Sequence, residues 1–319
     1  MRYDIQVNPA NPVEYLACCG VFEILARFDA DATSWWEVEP QARFWIESEI
    51  DEASLLACLK QSLSDWSQWQ QGENPDDEKL SSQDDEDEEG GDEADTEESG
   101  GGESNDGVSI SAQISLNDKN ITLVLDWWYE TLTLKKKGKS SSWKLYTGQQ
   151  TIDRILRELI VEAKKELQAN PCTSFTSLIK RNVRKTGRFR FDPRSFGDPL
   201  DTGYSANDLK KFRDPAYEPV KNYLFAELLA IFAVQYLFPP RTKQSGGVES
   251  ARGWIKQNKR AAFRYGLWIK PLPVSLVRMA AIGAGINLDD VIPMISERKS
   301  LGSGSFEYRN LMMAKITTW

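Results

Sequence analysis

Residues Asn8 to Phe28, NPANPVEYLACCGVFEILARF, contain the helix around which the chain is organised. Asn11 is a good N-cap, Pro12 suits the first helical position, and Glu14 stands three residues after Asn11 as in a capping box. From Tyr15 onward the segment is apolar on nearly every side (Leu16, Ala17, Cys18, Cys19, Val21, Phe22, Ile24, Leu25, Ala26), so it has to be covered all round and not along one stripe. It reads as a central core helix, a packing element with no chemistry of its own.

Outward from that helix, a chain of 319 residues has the length for one large or two medium domains. No apolar run reaches the roughly 18 residues of a membrane span, and MRYDIQVNPANP lacks the basic-then-apolar layout of a signal peptide. The expectation is a cytoplasmic protein with no membrane partner. Cys18, Cys19, Cys58 and Cys172 form neither a C-x-x-C pair nor a disulfide framework and read as reduced core residues. The chain has no histidine. Ser-His-Asp and Cys-His catalysis and His-based metal sites are thereby excluded, and an enzyme would have to work with carboxylates, Lys, Tyr or Cys alone. A non-enzyme is the expectation.

The formal charge of −9 hides two parts of opposite sign: residues 74–106 hold 16 acidic residues and one Lys, and the remainder carries 38 basic against 32 acidic residues. A mildly basic body favours polyanionic partners. The acidic stretch, built of Asp, Glu, Gly and Ser, is too poor in apolar residues to offset its ordering entropy and is expected to be a disordered, self-repelling loop.

In chain order, Tyr3 to Val7 alternates as a short strand, residues 29–41 read as a loop carrying Trp35 and Trp36, Ala42 to Glu47 reads as a strand, and Asp51 to Ser64 as a helix. Past the insert, Val108 to Leu116 alternates cleanly. Asn117-Asp118-Lys119 turns it into a second strand, Ile121 to Trp127, predicting a hairpin. Thr147 to Gln150 is a capping box opening a helix that Asn170-Pro171 stops. A very apolar helix from about Pro219 is halted by Pro239-Pro240. Phe263 to Ile269 is strand-like, and Pro273 to Ala284 is a helix closed by Gly285. The fold class is α+β. Residues 1–170 are expected to form a mixed-sheet domain interrupted by the insert, and residues 171–319 a mainly helical part with basic loops.

Three basic stretches stand out. Lys135, Lys136, Lys137, Lys139 and Lys144 occur within ten residues containing no acid. Lys180 to Arg194 holds seven basic residues (Lys180, Arg181, Arg184, Lys185, Arg188, Arg190, Arg194) against Asp192 alone, interleaved with Phe189 and Phe191. Arg241 to Lys270 has eight basic residues against Glu249, with Trp254, Phe263, Tyr265 and Trp268 among them. Lys and Arg neutralise phosphates while aromatic faces and guanidinium planes stack unpaired bases, so this mixture suits single-stranded or A-form nucleic acid. The candidate contacts are these Lys135–Lys144 lysines, Arg181, Arg184, Lys185, Arg188, Arg190, Arg194, Asn207, Lys210, Arg264, Tyr265 and Trp268. If Arg188 to Phe191 is extended, Arg188 and Arg190 share one face while Phe189 and Phe191 anchor the other. The competing reading has these arginines paired with Asp192, Asp198 and Asp201 as a staple. Gly302-Ser303-Gly304-Ser305 has no following Lys and is a turn, not a phosphate loop. Asp198, Asp201, Asp289 and Asp290 read as turn residues, so no metal site is named.

At three places the chain is similar to the large-subunit-type proteins of type I-G (formerly I-U) CRISPR–Cas effector complexes, which are Cascade-like. The blocks are NPVEYLACCGVFEIL at 11–25, RFRFDPRSFGDPLDTGYSANDL at 188–209 with the following helix, and FRYGLWIKPLPVSLVRMAAIGAG at 263–285. The resemblance implies a non-catalytic, cofactor-free subunit of a complex in which guide RNA reads the target DNA by base pairing. It also implies recognition of the motif beside the target, contact with other effector subunits and recruitment of a separate helicase-nuclease in antiviral defence. The acidic insert is not part of that pattern. Two other readings stand beside it: a scaffold protein whose acidic loop mimics a polyanion, and a His-free carboxylate metal nuclease.

Overall fold

The structure is a computed structural model that describes residues 1–64, 69–71, 110–127, 129–130, 139–140, 143, 145, 152–184, 189–195, 221–238, 253–257, 260–284, 288–301 and 308–319. The first half contributes β1 (Arg2–Gln6), α1 (Pro12–Phe28), β2 (Thr33–Glu37), β3 (Arg43–Glu47), α2 (Glu52–Ser64), β4 (Trp69–Gln71), β5 (Ile110–Leu116), β6 (Lys119–Leu125), β7 (Tyr129–Glu130), β8 (Lys139–Ser140) and α3 (Ile152–Ala169). The second contributes α4 (Phe175–Ile179), β9 (Val183–Arg184), β10 (Lys221–Asn222), α5 (Leu224–Leu237), β11 (Trp254–Gln257), β12 (Arg260–Trp268), β13 (Leu272–Pro273), α6 (Val274–Ala281), β14 (Val291–Leu301), β15 (Tyr308–Leu311) and β16 (Lys315–Ile316).

Asn11 caps α1 as its sequence demands, its side chain accepting from Val13 N at 3.2 Å with Pro12 in the first turn. Glu14 departs from the expected capping box. Asn11 N already donates to Asn8 O, so Glu14 reaches further back and accepts from Asn8 N at 2.7 Å. The helix is buried along nearly its whole length, and its closest neighbour is α5. A Cβ at Gly20 would lie 2.0 Å from Leu229 O, so only glycine lets the two backbones approach this closely.

All described strand pairs are antiparallel, which corrects the expected mixed sheet. Short connections such as that from β2 to β3 suffice for antiparallel pairing, whereas a parallel pair needs a long crossover. Residues 33–37, read as loop, form β2: Ser34 and Trp36 face inward while Thr33, Trp35 and Glu37 face outward. The β5–β6 hairpin forms as expected, with Asn117 and Asp118 at φ 48° and 62° supplying the left-handed turn. Gln71 and Ile110 are Cα partners on β4 and β5, so the acidic insert, itself outside the described residues, starts and ends beside a closed strand pair.

The division expected at residue 170 does not fall between two cores. Strand β13 completes the sheet β1-β3-β2-β13, α1 lies on α5, and one hydrophobic cluster runs from Ile5 to Ala314. Among the described residues the second half holds strand as well as helix. The nine-residue β12 and eleven-residue β14 form the spine of a five-stranded sheet with β11, β15 and β16.

Candidate nucleic-acid interface

Glu227, fully buried on α5, accepts from the amides of both Phe189 and Phe191. Two amides two residues apart reach one carboxylate only if the chain turns between them, and Arg190 makes that turn at φ 70°. Residues 189–191 are therefore not extended. Phe189 and Phe191 are buried as expected, against Trp127. Arg190 is also buried, at 4% exposure, which corrects its assignment to an outward cationic face.

Arg194 follows the staple reading. Its Nε and Nη2 meet Asp192 Oδ1 and Oδ2, each at 2.9 Å, its Nη1 meets Glu14 Oε1 at 2.7 Å, and its Cζ sits 3.3 Å from the centre of the Tyr223 ring. Burial works against the guanidinium charge, but Asp192 first and then Glu14 outweigh it and raise the pKa. Hydrogen bonds also join the first resembling block to the other two. Asn11 Nδ2 reaches Asp192 Oδ1 at 3.4 Å, Tyr15 OH donates to Gly266 O at 3.2 Å, and Tyr265 OH donates to Pro9 O at 2.7 Å. Arg278 closes the far side of α1 on the buried Glu23.

The core also encloses the two aromatic candidates. Tyr265 and Trp268 are fully buried, the indole N–H of Trp268 donating to Ser34 O at 2.8 Å, so neither ring is open for stacking a base. Arg181 turns back onto the end of α3, donating to Asn170 O and Pro171 O with Glu166 at 3.7 Å. Arg264 is half-buried, with Cζ 5.3 Å from the Trp319 ring centre. Lys139 lies on β8 opposite Glu130. Lys135, Lys136, Lys137, Lys144, Lys185, Arg188, Asn207 and Lys210 lie outside the described residues.

No protein-family model, curated protein or solved structure matches the chain. Among the described residues no helix is long and apolar enough to cross a membrane, and no three Cys, Asp or Glu side chains cluster as metal ligands.

One backbone pairing joins an expected contact to a residue outside the expected set. Arg184 on β9 has Lys221 on β10 as its Cα partner, and Val183 pairs with Asn222. The ribbon is rooted one residue from the Arg194–Tyr223 contact. In sequence, Lys185 and Arg188 follow Arg184, and Lys210 and Lys211 precede Lys221. Lys221 was not among the expected contacts because PVKNY looked like the entry to a helix. Its only local signal was a lone Lys before an apolar run.

Proposed function

We propose that this chain is a non-catalytic, nucleic-acid-binding subunit of a CRISPR RNA-guided DNA-targeting complex, with guide RNA, target DNA, other effector subunits and a separate helicase-nuclease as partners. The observation that carries the reading is the pairing of Arg184 with Lys221 on β9–β10, between two segments rich in Lys and Arg. A basic residue on each strand of a paired ribbon suits contact with a nucleic-acid backbone without base selectivity, as a protein needs when it holds a strand whose sequence is read by pairing. The resemblance adds support because its first block, α1, makes hydrogen bonds to both of the others, through Glu14 and Asn11 to Arg194 and Asp192 and through Tyr15 to Gly266. They act as one structural unit that fixes where the ribbon emerges.

The test is a salt titration of single-stranded RNA and duplex DNA binding by the full chain, native and with Arg184→Ala and Lys221→Ala together. Each lost phosphate contact flattens the log–log salt slope by about 0.7 for single strands and about 0.9 for duplex, so the double variant is expected to bind more weakly with a shallower slope and an unchanged melt. No binding at low salt, or binding indifferent to both substitutions, overturns the reading.

A further inference from the structure

The outward face of β1, β2 and β3 has a different character from the ribbon. Trp35 and Trp45 are Cα partners across β2 and β3, their ring planes 15° apart and their centroids 6.1 Å apart. Both are half-buried, and the indole N–H of Trp45 is held by Glu37 Oε2 at 2.7 Å, which fixes the ring. Over this pair lies the guanidinium of exposed Arg2, with Cζ 4.4 Å from the Trp45 ring centre and 4.7 Å from that of Trp35. On the same face of these strands stand Asp4, Glu37 and Glu47 against Arg2 and Arg43, and Arg43 is taken up by Asp4 at 3.5 Å, so three carboxylates face one remaining guanidinium once Arg2 is displaced.

We infer that this face docks an arginine-bearing basic segment of a partner protein, whose guanidinium takes the place that Arg2 now holds on the two indoles. Charge complementarity chooses the occupant. A phosphate backbone would be repelled by the acidic residues around the indoles, whereas a cationic peptide is drawn to them. The aromatic pair then distinguishes arginine from lysine, because a planar, weakly hydrated guanidinium lies flat on an indole and an ammonium does not. Arg2 shows that the pair accepts this group and, being at an exposed strand end, is the group that has to leave. The inference does not depend on nucleic-acid binding at the β9–β10 ribbon.

The experiment follows the indole N–H resonances of Trp35 and Trp45, assigned with Trp35→Phe and Trp45→Phe, in the full chain during titration with tetra-arginine, tetra-lysine and a short single-stranded RNA. The acidic insert attracts both peptides alike, so the difference between them at these two resonances is the readout. Tetra-arginine is expected to shift both resonances, and in Arg2→Gln to do so at several-fold lower concentration because the internal competitor is gone. Tetra-lysine is expected to have a much smaller effect. Equal response to the two peptides, no gain in Arg2→Gln, or a response to RNA in place of tetra-arginine overturns the inference.

Discussion

Arg194 holds together three parts of the chain that are far apart in sequence: its own loop through Asp192, the start of α1 through Glu14, and the approach to α5 through Tyr223. Replacing it by Ala removes this guanidinium from Glu14 and Asp192, which are at 5% and 3% side-chain exposure. Breaking a buried pair this way costs about 3 kcal/mol, reduced by the screening that its one-third exposed guanidinium receives. Arg194→Ala is expected to lower the denaturation midpoint clearly while the folded protein keeps its RNA affinity, and Arg194→Lys is not expected to restore the midpoint because an ammonium cannot make the two-pronged contact. A variant with a native midpoint and lost RNA affinity would put Arg194 on the nucleic-acid surface after all. Of this cluster, Asp192 was legible as a partner because it lies two residues away. The turn at Arg190 was not, since alternation in RFRF predicts an extended strand and the acceptor that bends it, Glu227, lies 36 residues beyond Phe191.

At the scale of elements, local signals succeeded where the chain carries its own punctuation. The Asn117-Asp118 turn and the stop after Ala169 fall where the sequence puts them. Strand β14 was missed because VIPMISERKSL mixes Pro293 and a charged run into a segment whose two ends have different partners, β12 and β15. Helix α6 ends at Ala281, before Gly283 at φ 67° and not at Gly285. The acidic segment 74–106 falls between β4 and β5, where the register shows why added length is tolerable. Gln71 and Ile110 pair directly, and each doubling of a flexible connection costs only about 0.6 kcal/mol in closure entropy. Replacing residues 74–106 by a short Gly/Ser turn is expected to leave cooperative thermal unfolding intact, with a melting temperature close to native. A broad, non-cooperative melt would show that the insert packs on the body. The opposite outcome is expected at Gly20, where an added methyl meets a backbone oxygen that belongs to α5 and cannot turn away. Gly20→Ala should cost about 1–3 kcal/mol or more by forcing α1 and α5 apart, measurable as a lower urea midpoint.

For the whole molecule, the core that joins both halves is closed over groups able to ionise at high pH, and this gives its stability a direction. Burial, first of all, pushes Tyr15, Tyr265, Cys18 and Cys19 well above their ordinary values, with the neighbouring Cys19 adding to the shift of Tyr15, Tyr265 and Cys18. Burial also raises Cys58, on α2, to about 11. A group that keeps its proton more firmly in the folded chain favours folding fully below its unfolded pKa, and this advantage is lost as pH rises toward the folded value. For Cys58 the loss runs from about 9 to about 11, and for the more deeply buried thiols and phenols it begins at their ordinary values and continues upward. Urea unfolding under reducing conditions is therefore expected to show a midpoint that falls progressively above pH 9. Cys58→Ala is expected to shift the early part of that decline, leaving the later part, which belongs to α1 and β12, in place. A midpoint that stays level to pH 11 would mean that these side chains already meet water in the folded state, and the enclosure of α1 by α5 and the two sheets would have to be abandoned.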